Sequence, residues 1–353
     1  MAYTDIDKPS DYFDTVLYTG DGTSDRTITT PFSPEFTWIK MRSGVDDNVL
    51  YDIVRQTSSG VGIRLKSNST EAESDLGDYV NLISNGFKVD GGIYNNSGFT
   101  FASWNWLANG AGVSNTAGSI TSTVSANTTS GFSVVGWTGN ATAGATIGHG
   151  LGSAPSLILT KNRDFAYNWH LWTHAFSSYN DTIQLNTTAA IDTGTLLNNT
   201  APTSSLITLG NSAVINASGE NIIAYVFAEK KGFSKFGSYT GNGNANGTFV
   251  YTGFTPAFVM IKRTDTTSNW DMYDNKRNDD KPAGANYIDR LLYANANDAE
   301  VDTGGAYFLD FLSNGFKLRG TGADINASGG TYIYMAFAEN PFVTSTSIPT
   351  TAR

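Results

Sequence analysis

Short apolar runs alternate with polar turns along the whole chain, and one run is written three times. Pro34-Glu35-Phe36-Thr37-Trp38-Ile39-Lys40 returns as Pro155-Ser156-Leu157-Ile158-Leu159-Thr160-Lys161 and as Pro256-Ala257-Phe258-Val259-Met260-Ile261-Lys262. Proline donates nothing to a strand ladder and suits a strand's first residue, so each run predicts a strand entered at its proline and left at its lysine. Upstream of each stands an aromatic-Thr-Gly block: Tyr18-Thr19-Gly20-Asp21-Gly22, Trp137-Thr138-Gly139-Asn140 and Tyr239-Thr240-Gly241-Asn242-Gly243. Gly, Asn and Asp reach positive φ cheaply, which predicts a tight turn after a strand. Asp21 shares a column with Asn140 and Asn242 and therefore reads as a turn residue, not a calcium ligand.

Downstream, a second strand is expected at Val49-Leu50-Tyr51-Asp52-Ile53, Trp169-His170-Leu171-Trp172-Thr173-His174 and Trp270-Asp271-Met272-Tyr273-Asp274. The polar runs before them, 42–48, 162–168 and 263–269, fit hairpin loops. A leucine-led strand and turn follow at Leu65-Lys66-Ser67-Asn68, Leu185-Asn186-Thr187-Thr188 and Leu292-Tyr293-Ala294-Asn295. Ser84-Asn85-Gly86-Phe87-Lys88 recurs as Ser313-Asn314-Gly315-Phe316-Lys317, a strong hairpin signal, and Thr208-Leu209-Gly210-Asn211 is its weaker counterpart. A Ser-Gly turn and a long strand close each repeat, reaching Trp106, Phe227 and Phe337; the Ser-Gly glycines are 121 residues (98 to 219) and 110 residues (219 to 329) apart.

This spacing divides the chain into an arm or anchor (1–13), a first module (14–108), a flexible or surface-laid linker (109–130), a second module (131–231), a third module (232–342) and an extended tail (343–353). The linker is rich in Gly, Ser, Thr and Asn, whereas the short connection 230–234 predicts rigid packing of the second module on the third. Many short strands at regular spacing without a convincing helix predict an all-β fold of three tandem β-sandwich or jelly-roll modules. Heptads and hexapeptide repeats are absent, which disfavours coiled-coil and β-helical shafts.

Composition narrows the function. Charged residues make up only 15% of the 353, and the net charge of −10 includes no basic stripe, which argues against a nucleic-acid partner. Cysteine is absent, excluding disulfides, thiolate metal sites and a cysteine nucleophile. The polar start and the lack of a long apolar run give no sign of a signal peptide or membrane span, so the expectation is a product folded in the cytoplasm, without membrane insertion.

Candidate chemistry is sparse. His170 and His174 have a zinc-like spacing, but on a strand they stand about 13 Å apart, and no other ligand completes a site. His149, between Gly148 and Gly150, reads as a turn residue. The acid pairs Asp46/Asp47, Asp271/Asp274 and Asp279/Asp280 do not recur across the repeats, which argues against glycoside hydrolysis. No nucleophile elbow, phosphate loop or dinucleotide fingerprint occurs, and no cofactor is expected. Glu229 and Glu339 end closing strands and could pair with Lys161 and Lys262; Ala108 takes the glutamate column in the first repeat. Trp169, Trp172, Trp270 and Tyr273 are the candidate ligand-binding residues, because an exposed aromatic face stacks on sugars or anchors an interface, although matched aromatics also fill cores. Trp169 and Trp172 should face opposite sides.

The Tyr239 to Gly243 turn, the Pro256 to Lys262 strand, Ser313-Asn314-Gly315-Phe316 and Phe337-Ala338-Glu339-Asn340-Pro341-Phe342 together resemble a repeated domain of marine bacteriophage structural proteins of the tail fibre or tailspike kind. The resemblance covers essentially the whole chain, is best in the third repeat, and includes no catalytic motif. It implies concanavalin-type or jelly-roll sandwiches in a non-enzymatic virion protein, assembled in the host cytoplasm. The reading it favours is a trimeric tail fibre or receptor-binding protein, attached through the arm or the tail to other tail or capsid proteins. Such a protein gains avidity from several weak contacts, with host surface polysaccharide as a candidate partner. A capsid decoration or head-fibre protein is the alternative, and a polysaccharide-degrading tailspike is disfavoured.

Overall fold

The computed structural model describes residues 3–57, 60–77, 79–278 and 286–350. Pro34 and Pro155 stand just ahead of the strands Phe36–Met41 and Leu157–Asn162, as expected. Pro256 instead lies inside the longer strand Phe254–Arg263, and the register against Thr331–Pro341 shifts on both sides of it. A bulge there absorbs the missing N–H.

The protein is all-β. Among the described residues the strands form six sheets with antiparallel ladders, and helix is confined to single turns at Pro9–Asp11, Ala213–Asn216 and Ala323–Asn326. Each repeat contributes one large and one small sheet. The first large sheet runs Phe13–Thr19, Thr100–Trp106, Phe36–Met41, Val49–Asp52, Leu65–Lys66. In chain terms this is the opening strand, closing strand, lysine strand, following strand and a short fifth strand. The same order recurs in the other two large sheets, with Phe132–Thr138, Asn221–Phe227, Leu157–Asn162, His170–Thr173 and Asp181–Gln184, then with Ser234–Thr240, Thr331–Pro341, Phe254–Arg263, Trp270–Asp274 and Arg290–Tyr293. Register matches as well: Trp38 pairs with Trp104, Leu159 with Tyr225 and Met260 with Met335.

The large sheets turn apolar faces toward one another, and one core draws on all three repeats. At its centre the matched closing-strand residues Trp106, Phe227 and Phe337 form a triangle, with ring centroids 6.3 Å, 5.6 Å and 5.7 Å apart. Three equivalent residues in mutual contact define a pseudo-threefold axis, and the repeats close a ring around it. The void left at this centre is about 10 Å3, no more than one water needs, so it is a packed core and no site. On their outer faces the first two large sheets share further cores with the small sheets, containing Ile39, Tyr51 and Phe87 in one case and Trp137, Trp172 and Ile207 in the other.

The aromatic-Thr-Gly block has a packing reason. Tyr18, Trp137 and Tyr239 donate to the carbonyls of Tyr94, Ile215 and Ile325. The next residue in each case, Asn95, Asn216 or Asn326, is buried, and its amide oxygen accepts the N–H of Asp21, Asn140 or Asn242. A Cβ on Gly20, Gly139 or Gly241 would lie 2.0, 2.2 or 2.4 Å from the carbonyl oxygen of Asn96, Ala217 or Ala327. Close approach, more than positive φ, selects glycine here.

Four expectations about organisation change. The linker is structured: Val113–Asn115 and Ser122–Asn127 extend the second large sheet to eight strands, with Ser122–Asn127 paired along the opening strand. The arm is docked: Ile6 is buried in the shared core, and Tyr3 donates to the Gly253 carbonyl. The tail folds back, with Val343 bridged to Pro349 and Ser345 bonded to Asp7. In the second repeat Ile183, not Leu185, takes the column of Leu65 and Leu292, because Ile183 pairs with Leu171 as Leu65 does with Leu50 and Leu292 with Met272. A slip of two keeps a side chain on the same strand face, so the apolar pattern alone does not reveal it.

Candidate functional site

The four candidate aromatics are buried: Trp169 is 0% exposed, Trp172 3%, Trp270 2% and Tyr273 0%. None offers a ring face to a ligand, which corrects the expectation of a solvent-facing aromatic. Trp169 and Trp172 do face opposite sides, one toward the shared core and one toward the outer core. The Trp169 indole N–H donates to the Lys66 carbonyl at 2.7 Å, and that of Trp270 to the Gln184 carbonyl at 2.9 Å. Asn48 fills the same column in the first repeat and donates to the Tyr293 carbonyl at 2.9 Å. Lys66, Gln184 and Tyr293 are themselves matched positions. Second to first, third to second and first to third, these bonds run once around the ring. Tyr273 bonds the Tyr307 carbonyl inside its own repeat, and Trp172 stacks on Tyr179.

The lysines belong to the same framework. Lys40, Lys161 and Lys262 are fully buried, and burial lowers each ammonium to a pKa of about 8. Lys40 donates to the carbonyls of Asp46 and Asn297, Lys161 to those of Asn162 and Phe165, and Lys262 to those of Thr188 and Ser268. The expected Lys161–Glu229 and Lys262–Glu339 pairs do not form. Glu229 bonds Lys235, and Glu339 lies 3.9 Å from Lys276. Each ammonium is turned toward loop carbonyls, and Lys40, without a glutamate counterpart, is held the same way.

Two of the three junctions carry a buried clamp. Between first and second repeats, Arg55 donates to Asp52 at 2.5 Å and to the Leu50 carbonyl, Tyr225 donates to Asp52, and Glu73 makes a bidentate pair with Arg163 of the second repeat. Between third and first, Arg277 donates to Asp274 at 2.6 Å and to Glu300, Trp104 donates to Asp274, and Glu300 makes a bidentate pair with Arg42. Burial disfavours both guanidinium charges, yet the carboxylates around them, Asp52 first for Arg55 and Asp274 first for Arg277, hold their pKa values above the ordinary arginine value.

The junction between second and third repeats lacks the clamp. Thr173, Phe176, Ile191 and Thr264 stand where the first junction has Asp52, Arg55, Glu73 and Arg163, and the backbone bond beside the clamp persists without it, Ile191 N–H to the Thr264 carbonyl as Glu73 N–H to the Arg163 carbonyl. A cleft of about 400 Å3 opens there, lined chiefly by Phe176, Ser177, Ile191, Ser238, Thr264 and Thr331. Its counterpart at the first junction measures about 160 Å3 and includes Arg163 and, from the former linker, Thr121 and Thr123. The short connection between the second and third repeats thus coexists with a junction that lacks the clamp and has the larger of these two clefts. Sequence reasoning had no signal for the cleft, because it arises where a recurring charge pattern fails to recur.

The other sequence candidates are not brought together. His170 meets Thr182 and His174 meets the Phe236 carbonyl, while His149 is buried and bonded to the Thr203 carbonyl and the Leu151 N–H. Among the described residues no group of three or more His, Cys, Asp or Glu could hold a metal. Asp47 is tied to Asn68 and Lys66, and Asp46 bonds the Asp47 N–H. Asp271 and Asp274, three apart on one strand, point to opposite faces. Asp279 and Asp280 lie outside the described residues. Asp271 is fully buried, neither of its carboxyl oxygens has a hydrogen-bond partner among the described residues, and burial together with Asp324 raises its pKa well above the ordinary aspartate value.

Residues 8–341 match the model of a family described as Domain of unknown function (DUF7483). No curated protein and no solved structure matches the chain.

Proposed function

Taking as premise that the chain belongs to this family over residues 8–341, we propose that it is a non-enzymatic structural protein of a bacteriophage particle, serving as a tail fibre or receptor-binding protein. Its three repeats are tandem β-sandwich modules of jelly-roll or concanavalin-like form, each pairing one large and one small sheet around the common axis. The observation that carries the reading is the consumption of the recurring residues by the ring itself. The Trp106–Phe227–Phe337 triangle, the indole bonds and the buried lysines tie the recurring aromatics and lysines, among the described residues, into the framework. What repeats toward solvent is loops, and three matched sets on one body suit multivalent contact with a host surface, polysaccharide included. A homotrimer would present three times three, or nine, such sets.

Purified protein should bind host cells, and host surface polysaccharide should compete; absence of binding at micromolar protein sinks the reading. Release of reducing ends from that polysaccharide would replace it with an enzyme. One observation favours capsid decoration instead: arm and tail, tied to each other through Asp7 and Ser345, lie on the body and do not project as an anchor over residues 3–350. A copy number in the hundreds per particle, by quantitative gel analysis of virions, would decide for decoration.

A further inference from the structure

We propose that the opening strand of the third repeat, Ser234–Thr240, is a docking edge for an extended, uncharged, Ser/Thr-rich polypeptide segment of another chain, which adds antiparallel beside Ser238 and fills the cleft between second and third repeats.

The protein supplies its own precedent. In the second repeat the opening strand Phe132–Thr138 is no edge: Ser122–Asn127 pairs along it, Thr123 lies opposite Gly136, and Thr121 and Thr123 help to line the smaller cleft. Ser238 occupies the Gly136 column, since Gly136 pairs with Ile223 and Ser238 with Ile333 on matched closing strands. Yet Ser234–Thr240 is the outermost strand of its sheet, and its cleft is the larger of the two. The first repeat's opening strand is also an edge, but its junction holds the Arg277–Glu300–Arg42 clamp.

Hydrogen-bond direction agrees. His174 reaches the Phe236 carbonyl at 2.9 Å, so that carbonyl points away from the closing strand. In an antiparallel ladder a residue directs its N–H and C=O to the same side, and every second residue repeats the choice. Ser238, two residues on and exposed, therefore turns its N–H and C=O outward to the cleft. Edges of this kind accept added strands through main-chain bonds, with wall chemistry setting specificity.

The walls define the occupant. Ser177, Ser238, Thr240, Thr264 and Thr331 bring hydroxyls, Phe176 and Ile191 bring apolar surface, and among the described residues no charged side chain lines the cleft. A segment of small hydroxyl and apolar residues fits, as Ser119-Ile120-Thr121-Ser122-Thr123-Val124-Ser125-Ala126-Asn127-Thr128 does in the second repeat. A sugar fits less well. Tyr239 and Tyr332 stack on each other at 4.8 Å and are 8% and 1% exposed, leaving no open face for a pyranose.

The test adds a capped synthetic peptide of residues 119–128 in trans to the whole chain and reads amide exchange and backbone NMR shifts. Slowed exchange at Ser238, with shifts confined to 174–177, 191, 236–240, 264 and 331, supports the site. Ser238→Pro removes one main-chain donor, is tolerated on an edge strand, and should weaken binding about two- to tenfold. Ser238→Lys, which places a charge in the cleft, should weaken it as well; melting curves verify that both variants fold. His174→Ala frees the Phe236 carbonyl and should tighten binding. Failure of the peptide to perturb these residues at millimolar concentration, binding indifferent to both Ser238 variants, or a neutral oligosaccharide producing the same shifts where the peptide does not, would overturn the proposal.

Discussion

Removing the guanidinium of Arg277 tests whether the clamps hold the ring. In Arg277→Leu, Asp274 keeps the Trp104 indole and two backbone N–H groups but loses its 2.6 Å ion pair at a site where both side chains are 0% exposed. The Met272 carbonyl loses its donor, and the Trp104 ring loses the cation 5.7 Å from its centroid. Breaking a buried pair from one side costs about 3–5 kcal/mol, a large part of the roughly 5–15 kcal/mol that holds a typical fold. The double variant Asp274→Thr/Arg277→Phe installs the pair that the second repeat uses at Thr173 and Phe176, and should recover at least half of that loss, because replacing both partners of a buried pair is often neutral. Urea unfolding followed by tryptophan fluorescence and circular dichroism measures both, as a shift in midpoint at constant slope. A loss below about 1 kcal/mol for the single variant, or a double variant no better than the single, would refute the argument that these charges are structural.

Other outcomes follow from the same geometry. Asp271 is buried with a raised pKa, so as pH rises through the ordinary aspartate range the unfolded chain ionises first and stability falls. Asp271→Val, which copies Val49 of the first repeat, should be more stable than the parent by an amount that grows with pH above about 4; equal stability at pH 4 and pH 7 speaks against it. Burial raises Glu35 to a pKa of about 7, so its contribution declines between about 4.3 and that value, and Glu35→Gln should flatten the stability profile in this window. Trp270→Phe removes the indole donor to the Gln184 carbonyl and leaves a void, costing about 1–3 kcal/mol in thermal unfolding; an unchanged melting temperature would mean that the bond adds nothing.

Much of the fold was legible because the repeat reports it three times. The lysine strands, the Ser-Asn-Gly hairpins and the Ser-Gly closing turns are local, and each has its own residue signature at Gly86, Gly98 and their partners. What the chain does between repeats was less legible. Trp169, Trp270 and Asn48 form one column of inter-repeat donors, yet an indole and an amide share no pattern until geometry shows both reaching for a carbonyl. Asp52-x-x-Arg55 and Asp274-x-x-Arg277 recur at matched positions, but Thr173 and Phe176 break the series, and the partners Glu73 and Glu300 follow their arginines at unequal separations along the chain. The linker strand at Ser122–Asn127 is built of Ser, Thr, Ala and Asn around Val124, a composition that signals a turn or tether until a neighbouring edge supplies the ladder. The candidate aromatics misled for a related reason: a conspicuous ring at a matched position is as useful for gluing repeats together as for meeting a ligand.

The aromatic triangle also sets an order of events during synthesis. Trp106 and Phe227 have left the ribosome long before Phe337 exists, so the faces around them stay wet and adhesive while more than a hundred residues are still being added after Phe227. A nascent chain truncated within its last third therefore carries an uncovered apolar wall suited to joining a neighbour's, and premature termination there should yield aggregates or exchanged dimers in place of a shortened but soluble product.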